Sequence, residues 1–133
     1  MPQPNDDSRL FRIAAFWNYS AATVFCLPPS VLSVLGMPTP VAALYPQLAA
    51  VLVASFGLGY HLVSRNVTRN HGIVVIGIAG KAAIFALLFA HYLTDRLSLV
   101  PVVIVFGDVV FAALFARFLL RQRRANKSTN VAS

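Results

Sequence analysis

Residues 72–93 read GIVVIGIAGKAAIFALLFAHYL, and residues 97–120 read LSLVPVVIVFGDVVFAALFARFLL. Each run is long enough to cross the hydrocarbon core of a bilayer, which takes about 20 apolar residues in a helix. Two further apolar runs precede them, at about residues 11–27 and 41–64. The sequence therefore predicts an all-α fold, a polytopic membrane four-helix bundle whose spans follow one another through short loops.

The composition excludes an ordinary soluble domain. Hydrophobic residues make up 58% of the 133 residues and charged residues only 11%, whereas a soluble domain is about one quarter charged. The four spans occupy residues 11–120 and leave no separate soluble domain. Residues 1–10 are polar, so we expect a disordered cytoplasmic lead. Residues 121–133 are expected to form a basic, disordered cytoplasmic tail.

Basic residues concentrate on one side of the predicted spans. Arg96 is alone in the loops of the opposite side, and Lys81 lies within a span. The other nine of the eleven Lys and Arg residues lie in the lead, the loop after the second span, and the tail: Arg9, Arg12, Arg65, Arg69, Arg117, Arg121, Arg123, Arg124 and Lys127. Because such residues mark cytoplasmic loops, both termini are predicted to be cytoplasmic, in a bacterial inner membrane. Trp17, Tyr19 and Tyr60 fit the positions of interfacial belt aromatics.

The residue types present disfavour several classes of function. The net charge of +7 comes from cations at the ends of apolar runs, so nucleic-acid binding is not expected. The lone cysteine, Cys26, excludes thiol-pair chemistry. The sequence has no Glu, no H-E-x-x-H motif and no Ser/His/Asp arrangement. We therefore expect no catalytic residue and favour a non-enzymatic protein.

The three histidines raise the question of a metal or a haem. His61 and His71 lie near the predicted cytoplasmic boundary, and His91 lies near the outer end of the third span. No carboxylate or cysteine stands beside them to complete a ligand set, so no metal site is expected. No cofactor is predicted, and two alternatives stay open: a quinone, or a haem held between His61 and His71.

The most informative residues are two charges inside the spans. Lys81 and Asp108 each lie near the middle of an apolar run, at similar depth in neighbouring antiparallel helices. One charge at a helix centre costs about 2.5 to 3.5 kcal/mol, so we predict that the two form an ion pair. Asn18 in the first span is expected to turn its amide to the same interior. Helical spacing puts an aromatic wall beside the pair, which includes Phe85, Tyr92 and Phe111.

The pair has two interpretations. In the first, it locks the register of the third and fourth spans, with Asn18 joining the helices by hydrogen bonds. In the second, the pair and its aromatic wall bind a small polar head carried on an apolar body, such as a quinone, a lipid or a sterol-like ligand, or they relay a proton. The sequence does not separate these roles.

Three of the spans carry a resemblance to a known family. The segments FGLGY (56–60), GK (80–81) with Phe85, and GDVVFA (107–112) are similar to segments of the DoxX-like small bacterial membrane proteins. The resemblance implies the four-helix membrane fold and a quinone-proximal or accessory role in a membrane oxidoreductase. The first span, FWNYSAATVF (16–25), departs from the family pattern. No catalytic residue is therefore carried over.

The predicted function is that of a small integral membrane protein, a non-enzymatic accessory or hydrophobic-ligand-binding protein with the Lys81–Asp108 pair at its midplane. One alternative is a subunit of a quinone-linked membrane oxidoreductase. The other is a small proton-coupled transporter resembling the four-span multidrug type, which uses an intramembrane Glu that Asp108 would replace. The expected partners are the lipid bilayer and either another membrane protein or a second copy of the chain.

Overall fold

The computed structural model describes residues 4–34, 36, 42 and 44–131. No strand occurs among these residues, and the predicted all-α class is confirmed. The five helices are α1 (Pro4–Phe25), α2 (Pro29–Val34), α3 (Leu44–Arg65), α4 (His71–Leu93) and α5 (Leu99–Val131).

Three helices are long and apolar enough to cross a membrane. They are α3, α4 and residues 99–128 of α5, and they indicate a multi-pass membrane protein. Helix α1, which contains most of the first predicted span, is not among them. Its first turns carry Asp6, Asp7, Arg9 and Arg12, and Asn18 interrupts its apolar run, so its mean hydropathy is lower.

The first predicted boundary differs from the structure. Residues 4–10, expected to be disordered, form the first turns of α1. Asp6 and Asp7 stand in the first turn, where the positive end of the helix dipole favours acidic side chains. The Ser8 hydroxyl donates to the carbonyl oxygen of Ser64 at 2.8 Å, which ties this segment to α3. Residues 1–3 lie outside the described residues.

The last predicted boundary also differs. Helix α5 continues to Val131, so most of the tail expected to be disordered is helical. The segment RQRRANK (121–127) is rich in good helix formers and contains neither Gly nor Pro. Arg121 also bonds Asp7 of α1 at 2.5 Å. With 33 residues, α5 is roughly 50 Å long and exceeds a bilayer core of about 30 Å.

The connection between α1 and α3 contains the predicted proline break. Helix α1 ends at Phe25, and α2 begins at Pro29, after the donor-lacking pair Pro28-Pro29. Gly36 follows α2 with a φ of 67°, a conformation that favours glycine. The Ser98 hydroxyl donates to the Gly36 carbonyl at 3.0 Å and fastens this connection to the start of α5. The predicted start of the second span at Val41 lies outside the described residues.

The long helices associate as two antiparallel pairs. In the first pair, α1 runs along α3, since Ser8 bonds Ser64 and Asn18 bonds Val53. In the second pair, α4 runs along α5, because Lys81 meets Asp108. The termini share one end with the α3–α4 loop at 66–70, and we call this the terminal end. The turn end holds α2 and the α4–α5 turn at 94–98.

The two pairs are joined by aromatic packing toward the terminal end. The Phe11 ring of α1 stacks on Phe115 of α5 at 4.9 Å and meets the edge of Phe118 at 5.2 Å. Tyr60 of α3 packs against Phe115 at 5.0 Å. These four rings are all buried. The apolar core of the described chain therefore lies between the terminal end and the Lys81–Asp108 pair.

The outer faces of the helices are apolar. Phe16 of α1 is 73% exposed, Leu52 of α3 is 63% exposed and Val103 of α5 is 62% exposed. A soluble monomer rarely exposes contiguous apolar surface of this extent. Besides the apolar core, the interior holds buried polar or charged side chains, those of Asn18, Ser64 and Lys81 among the described residues. This distribution suits a lipid environment.

Candidate functional site

The predicted ion pair is present at the contact between α4 and α5. The Lys81 Nζ lies 2.5 Å from Asp108 Oδ1. The Lys81 side chain is 6% exposed and that of Asp108 is 18% exposed. Two opposite charges at this distance, away from water, compensate much of each other's desolvation. The carboxylate is nevertheless the less enclosed partner.

Asn18 joins the pair to α1 and α3, as predicted. Its Oδ1 accepts a hydrogen bond from Lys81 Nζ at 3.1 Å. Its Nδ2 donates to the carbonyl oxygen of Val53 in α3 at 3.4 Å. Asn18 is itself buried. One amide therefore links three helices, and its two ends are both satisfied.

Trp17 is a member of the site that the sequence pattern assigned to the interfacial belt. Its Nε1–H donates to Asp108 Oδ1 at 3.1 Å. The approach depends on Gly107, because a Cβ built there would lie 2.7 Å from the indole ring. Because Gly107 has no side chain, the indole can lie close to α5 beside the carboxylate. Two features of the sequence could have indicated this contact: Trp17 is next to Asn18, and Gly107 is next to Asp108.

Two aromatic rings complete the surroundings of the ammonium group. The Lys81 Nζ lies 5.5 Å from the centroid of Phe111 and 5.6 Å from that of Tyr60, distances at which a cation is attracted to a ring face. Phe111 was predicted and Tyr60 was not. A Cβ at Gly77 would lie 2.5 Å from the Tyr60 hydroxyl oxygen, so this glycine admits the ring between α3 and α4.

The other two predicted aromatics lie elsewhere. Phe85 stacks on Phe89 at 5.7 Å and meets the edge of Phe106 at 6.2 Å. Tyr92 contacts Phe89 at 6.3 Å. These rings form a separate cluster between α4 and α5, nearer the turn end. Helical spacing gave the right face of α4, but the rings beside Lys81 come from other helices.

The hydrogen bonds to Asp108 fall on one of its two oxygens. Lys81 and Trp17 both donate to Oδ1. No donor among the described residues reaches Oδ2, and this atom is not among the buried atoms that lack a partner. Oδ2 is therefore open to the surface of the protein. A carboxylate can accept hydrogen bonds at both oxygens, and here one of the two receives none from the described residues.

Burial is mixed on the turn side of the network, where Pro101 and Val102 of α5 are buried but other residues are partly exposed. Along the face of α4 that carries Lys81, Val74 and Gly77 are buried on the terminal side, whereas Phe85 and Leu88 are half-buried on the turn side. On α5, Ile104 is 41% exposed although it shares a face with Asp108. We call the partly exposed surface of Phe85, Leu88 and Ile104 the turn-side opening. At its far end a groove of about 300 Å³ is lined by Leu88, His91, Arg96 and Leu97.

His71 and His91 have different surroundings. The His71 ring packs edge-on against Phe118 at 5.8 Å, and its Nε2 is buried without a hydrogen-bond partner. His91 is exposed beside the turn-end groove. Among the residues that the structure describes, no group of three His, Cys, Asp or Glu side chains could hold a metal ion.

Cys26 is exposed and borders a second groove, between α1 and α3. This groove has a volume of about 420 Å³ and is lined mostly by small residues: Tyr19, Ala22, Thr23, Cys26, Ala50, Val51 and Ala54. It lies on the outer surface of the first helix pair and does not border Lys81 or Asp108.

Comparison of the chain with protein-family models, with curated proteins and with solved structures finds no match in any of the three. The resemblance to DoxX-like proteins stays a prediction from sequence. The functional argument therefore depends on the geometry of the site itself.

Proposed function

We propose that the chain is a non-enzymatic bacterial inner-membrane protein in which α1, α3, α4 and α5 cross the bilayer as a four-helix bundle with both termini cytoplasmic. Two features support this topology. The contact between Asp7 and Arg121 puts the two terminal helices at the same end. The α3–α4 loop, with Arg69, lies at that end too, while Arg96 stands alone at the other.

The inclusion of α1 as a span is supported by the direction of its side chains. Its polar residues Trp17 and Asn18 bond Asp108 and Lys81 in the interior. Its outer face presents Phe16, which is 73% exposed. A helix that directs Trp17 and Asn18 at interior partners is compatible with lipid on its other side, although its average hydropathy is modest.

The function that the geometry supports best is the binding of a hydrophobic ligand at the Lys81–Asp108 pair. One observation supports it: Lys81 and Trp17 both donate to Oδ1 of Asp108, and no donor among the described residues reaches Oδ2. A carboxylate oxygen left unpaired in hydrocarbon is costly. A ligand that bonds Oδ2 would remove this cost, whereas a lock alone would leave it.

A small proton-coupled transporter is the second candidate, and the same oxygen favours it. Oδ2 is the place where a proton would add to Asp108, and protonation would weaken the hold of this side chain on Lys81. Intramembrane carboxylates commonly mark proton pathways. The quinone-linked oxidoreductase alternative has no comparable support among the contacts of the site.

The binding proposal is tested by purifying the full chain in nanodiscs and identifying co-purified small molecules by mass spectrometry and absorbance. We expect the wild type to retain an apolar molecule that the double variant Lys81→Ala/Asp108→Ala lacks. The matched control is Asp7→Ala/Arg121→Ala, which removes an ion pair with the same 2.5 Å separation at the terminal end. Equal contents in all three preparations would contradict the proposal.

The topology is tested with single cysteines in a Cys26→Ser background. A membrane-impermeant maleimide applied to spheroplasts should label Arg96→Cys, at the turn end, and should label Ser128→Cys only after the membrane is permeabilised. The reverse pattern would show that the end of α5 faces outward. Asp6→Cys, at the start of α1, should share the accessibility of Ser128→Cys, and opposite accessibility of these two positions would show that an odd number of helices crosses.

A further inference from the structure

The inventory of donors and acceptors at the site decides which ligand chemistry it accepts. The Lys81 ammonium has three N–H donors. Two are directed at Asp108 and Asn18, and the group also lies over the rings of Tyr60 and Phe111. The single N–H of the Trp17 indole is bonded to Asp108. Oδ2 of Asp108, in contrast, receives no hydrogen bond from a donor among the described residues.

We infer that the ligand is an apolar molecule that carries a hydroxyl group, and that this hydroxyl donates a hydrogen bond to Oδ2 of Asp108. A neutral hydroxyl satisfies the carboxylate oxygen without adding charge. A ketone, quinone or ester presents only acceptors, which cannot donate to this oxygen and would be repelled by the carboxylate. An ammonium head would donate, but it would place a second cation beside Lys81 in a medium of low dielectric constant.

The direction of the apolar body follows from the packing on either side of the pair. Toward the terminal end, the buried rings of Phe11, Phe115 and Phe118 fill the space between the helix pairs. Toward the turn end, Phe85 and Leu88 are half-buried and Ile104 is 41% exposed. Leu88 is two turns from Lys81, or about 10 Å along α4. The apolar body of the ligand accordingly extends from Asp108 toward the turn end, along the turn-side opening.

This inference depends on the proposed binding function and names the ligand class of the same site. The chain provides its own reporter, because Trp17 is the single tryptophan and bonds the carboxylate in question. The probes are three matched compounds: hexadecan-1-ol, 1-methoxyhexadecane and hexadecan-2-one. Each is added at equal mole fraction to nanodiscs that contain the full-length protein, and Trp17 emission is recorded.

We expect hexadecan-1-ol to change the emission saturably, with an affinity at least about tenfold higher than that of the methyl ether or the ketone. In Asp108→Asn, the amide oxygen retains Lys81 and Trp17 as donors and the amide N–H₂ replaces the open oxygen. The preference for the alcohol should then be lost or pass to the ketone. Ile104→Ala, which alters only an apolar side chain of the turn-side opening, should weaken the binding of the alcohol and of the ether by the same factor.

The outcomes distinguish an error in the hydroxyl assignment from an error in the proposed binding function. If the alcohol and the ether bind equally, or the ketone binds best, the site binds apolar ligands but the hydroxyl assignment is wrong. If none of the compounds changes Trp17 emission and nothing co-purifies with the wild type, both the inference and the binding function are wrong. The comparison of alcohol with ether needs only the wild type, so it stands even where Asp108→Asn fails to fold.

Discussion

Removal of either member of the Lys81–Asp108 pair is expected to destabilise the protein by about 3 to 5 kcal/mol, the range seen when one partner of a buried pair is lost from a soluble protein. Lys81→Ala leaves the carboxylate with the Trp17 indole as its donor among the described residues. Asp108→Ala leaves the ammonium group with the amide oxygen of Asn18 and two rings. In both variants an uncompensated charge remains in the interior.

The double variant Lys81→Ala/Asp108→Ala removes both charges together. It therefore avoids the burial of one unpaired charge, which costs about 2.5 to 3.5 kcal/mol at a helix centre. Its loss should fall below the sum of the single losses by about 1 to 3 kcal/mol, the usual size of coupling between contacting residues. The expected sign of this coupling is the essential result, because it depends only on the contact between the two side chains.

The matched control is the pair between Asp7 and Arg121. Its N–O separation is also 2.5 Å, but the Arg121 side chain is 37% exposed, against 16% for Asp7, at the terminal end. Solvent at the guanidinium group screens this pair, and fully exposed pairs contribute only about 0 to 1 kcal/mol. The same cycle of two single variants and one double variant should therefore give a smaller coupling than the Lys81–Asp108 cycle.

The free energies are measured by unfolding the purified protein from lipid–detergent mixtures with sodium dodecyl sulfate, followed by Trp17 emission and by circular dichroism. A coupling at Lys81–Asp108 that exceeds the control would establish that the two side chains are partners. Additive losses at Lys81 and Asp108, or a coupling no larger than that of the control, would refute the reasoning.

Two further predictions concern the aromatic contacts and are measured by circular dichroism in the same unfolding experiment. Trp17→Phe removes one hydrogen bond to a carboxylate and should lower the unfolding free energy by about 1.5 to 3 kcal/mol. The control Phe16→Leu, at a position 73% exposed, should have little effect. Equal losses in the two variants would mean that the hydrogen bond of the indole contributes nothing. Gly77→Ala places a Cβ 2.5 Å from the Tyr60 hydroxyl oxygen and should lose about 1 to 3 kcal/mol. Gly72→Ala meets open space and should lose nothing, so equal stability of the two glycine variants would contradict the close approach.

The helices and the ion pair could be predicted because their causes are local or nearly so. An apolar run as long as 72–93 or 97–120 has few alternatives to a helix that crosses a membrane. Lys81 and Asp108 are the charges nearest the middle of these two runs, and the cost of burying either one alone is enough to predict that they meet. Asn18 followed from the same reasoning, since an amide in an apolar span needs a partner.

Trp17 and Tyr60 could not be assigned in this way. Both have a polar tip on an apolar body, which suits a membrane interface as well as an interior network. Which of these roles applies depends on the rotation of each helix and on Gly107 and Gly77, whose lack of a side chain admits the rings. These features depend on tertiary packing and leave no periodic pattern in the sequence.

The helical ends have a similar explanation. Residues 4–10 and 121–131 are polar, and their composition alone favours disorder. The structure brings them together, because the ion pair between Asp7 and Arg121 joins residues 114 positions apart in sequence. This contact and the helix propensity of residues 121–127 both favour the helical ends.

The two roles considered for the pair make different demands on Asp108. A register lock needs a carboxylate that meets Lys81 and whose remaining capacity is either enclosed or bonded. The observed network bonds Lys81 and Trp17 to the same oxygen and leaves the other one open. The terminal side of this residue is filled by the buried rings of Phe115 and Phe118, whereas Ile104, one turn toward the turn end, is 41% exposed. An acceptor without a donor, inside an apolar protein, is better explained by a ligand with a hydrogen-bond donor than by a lock alone.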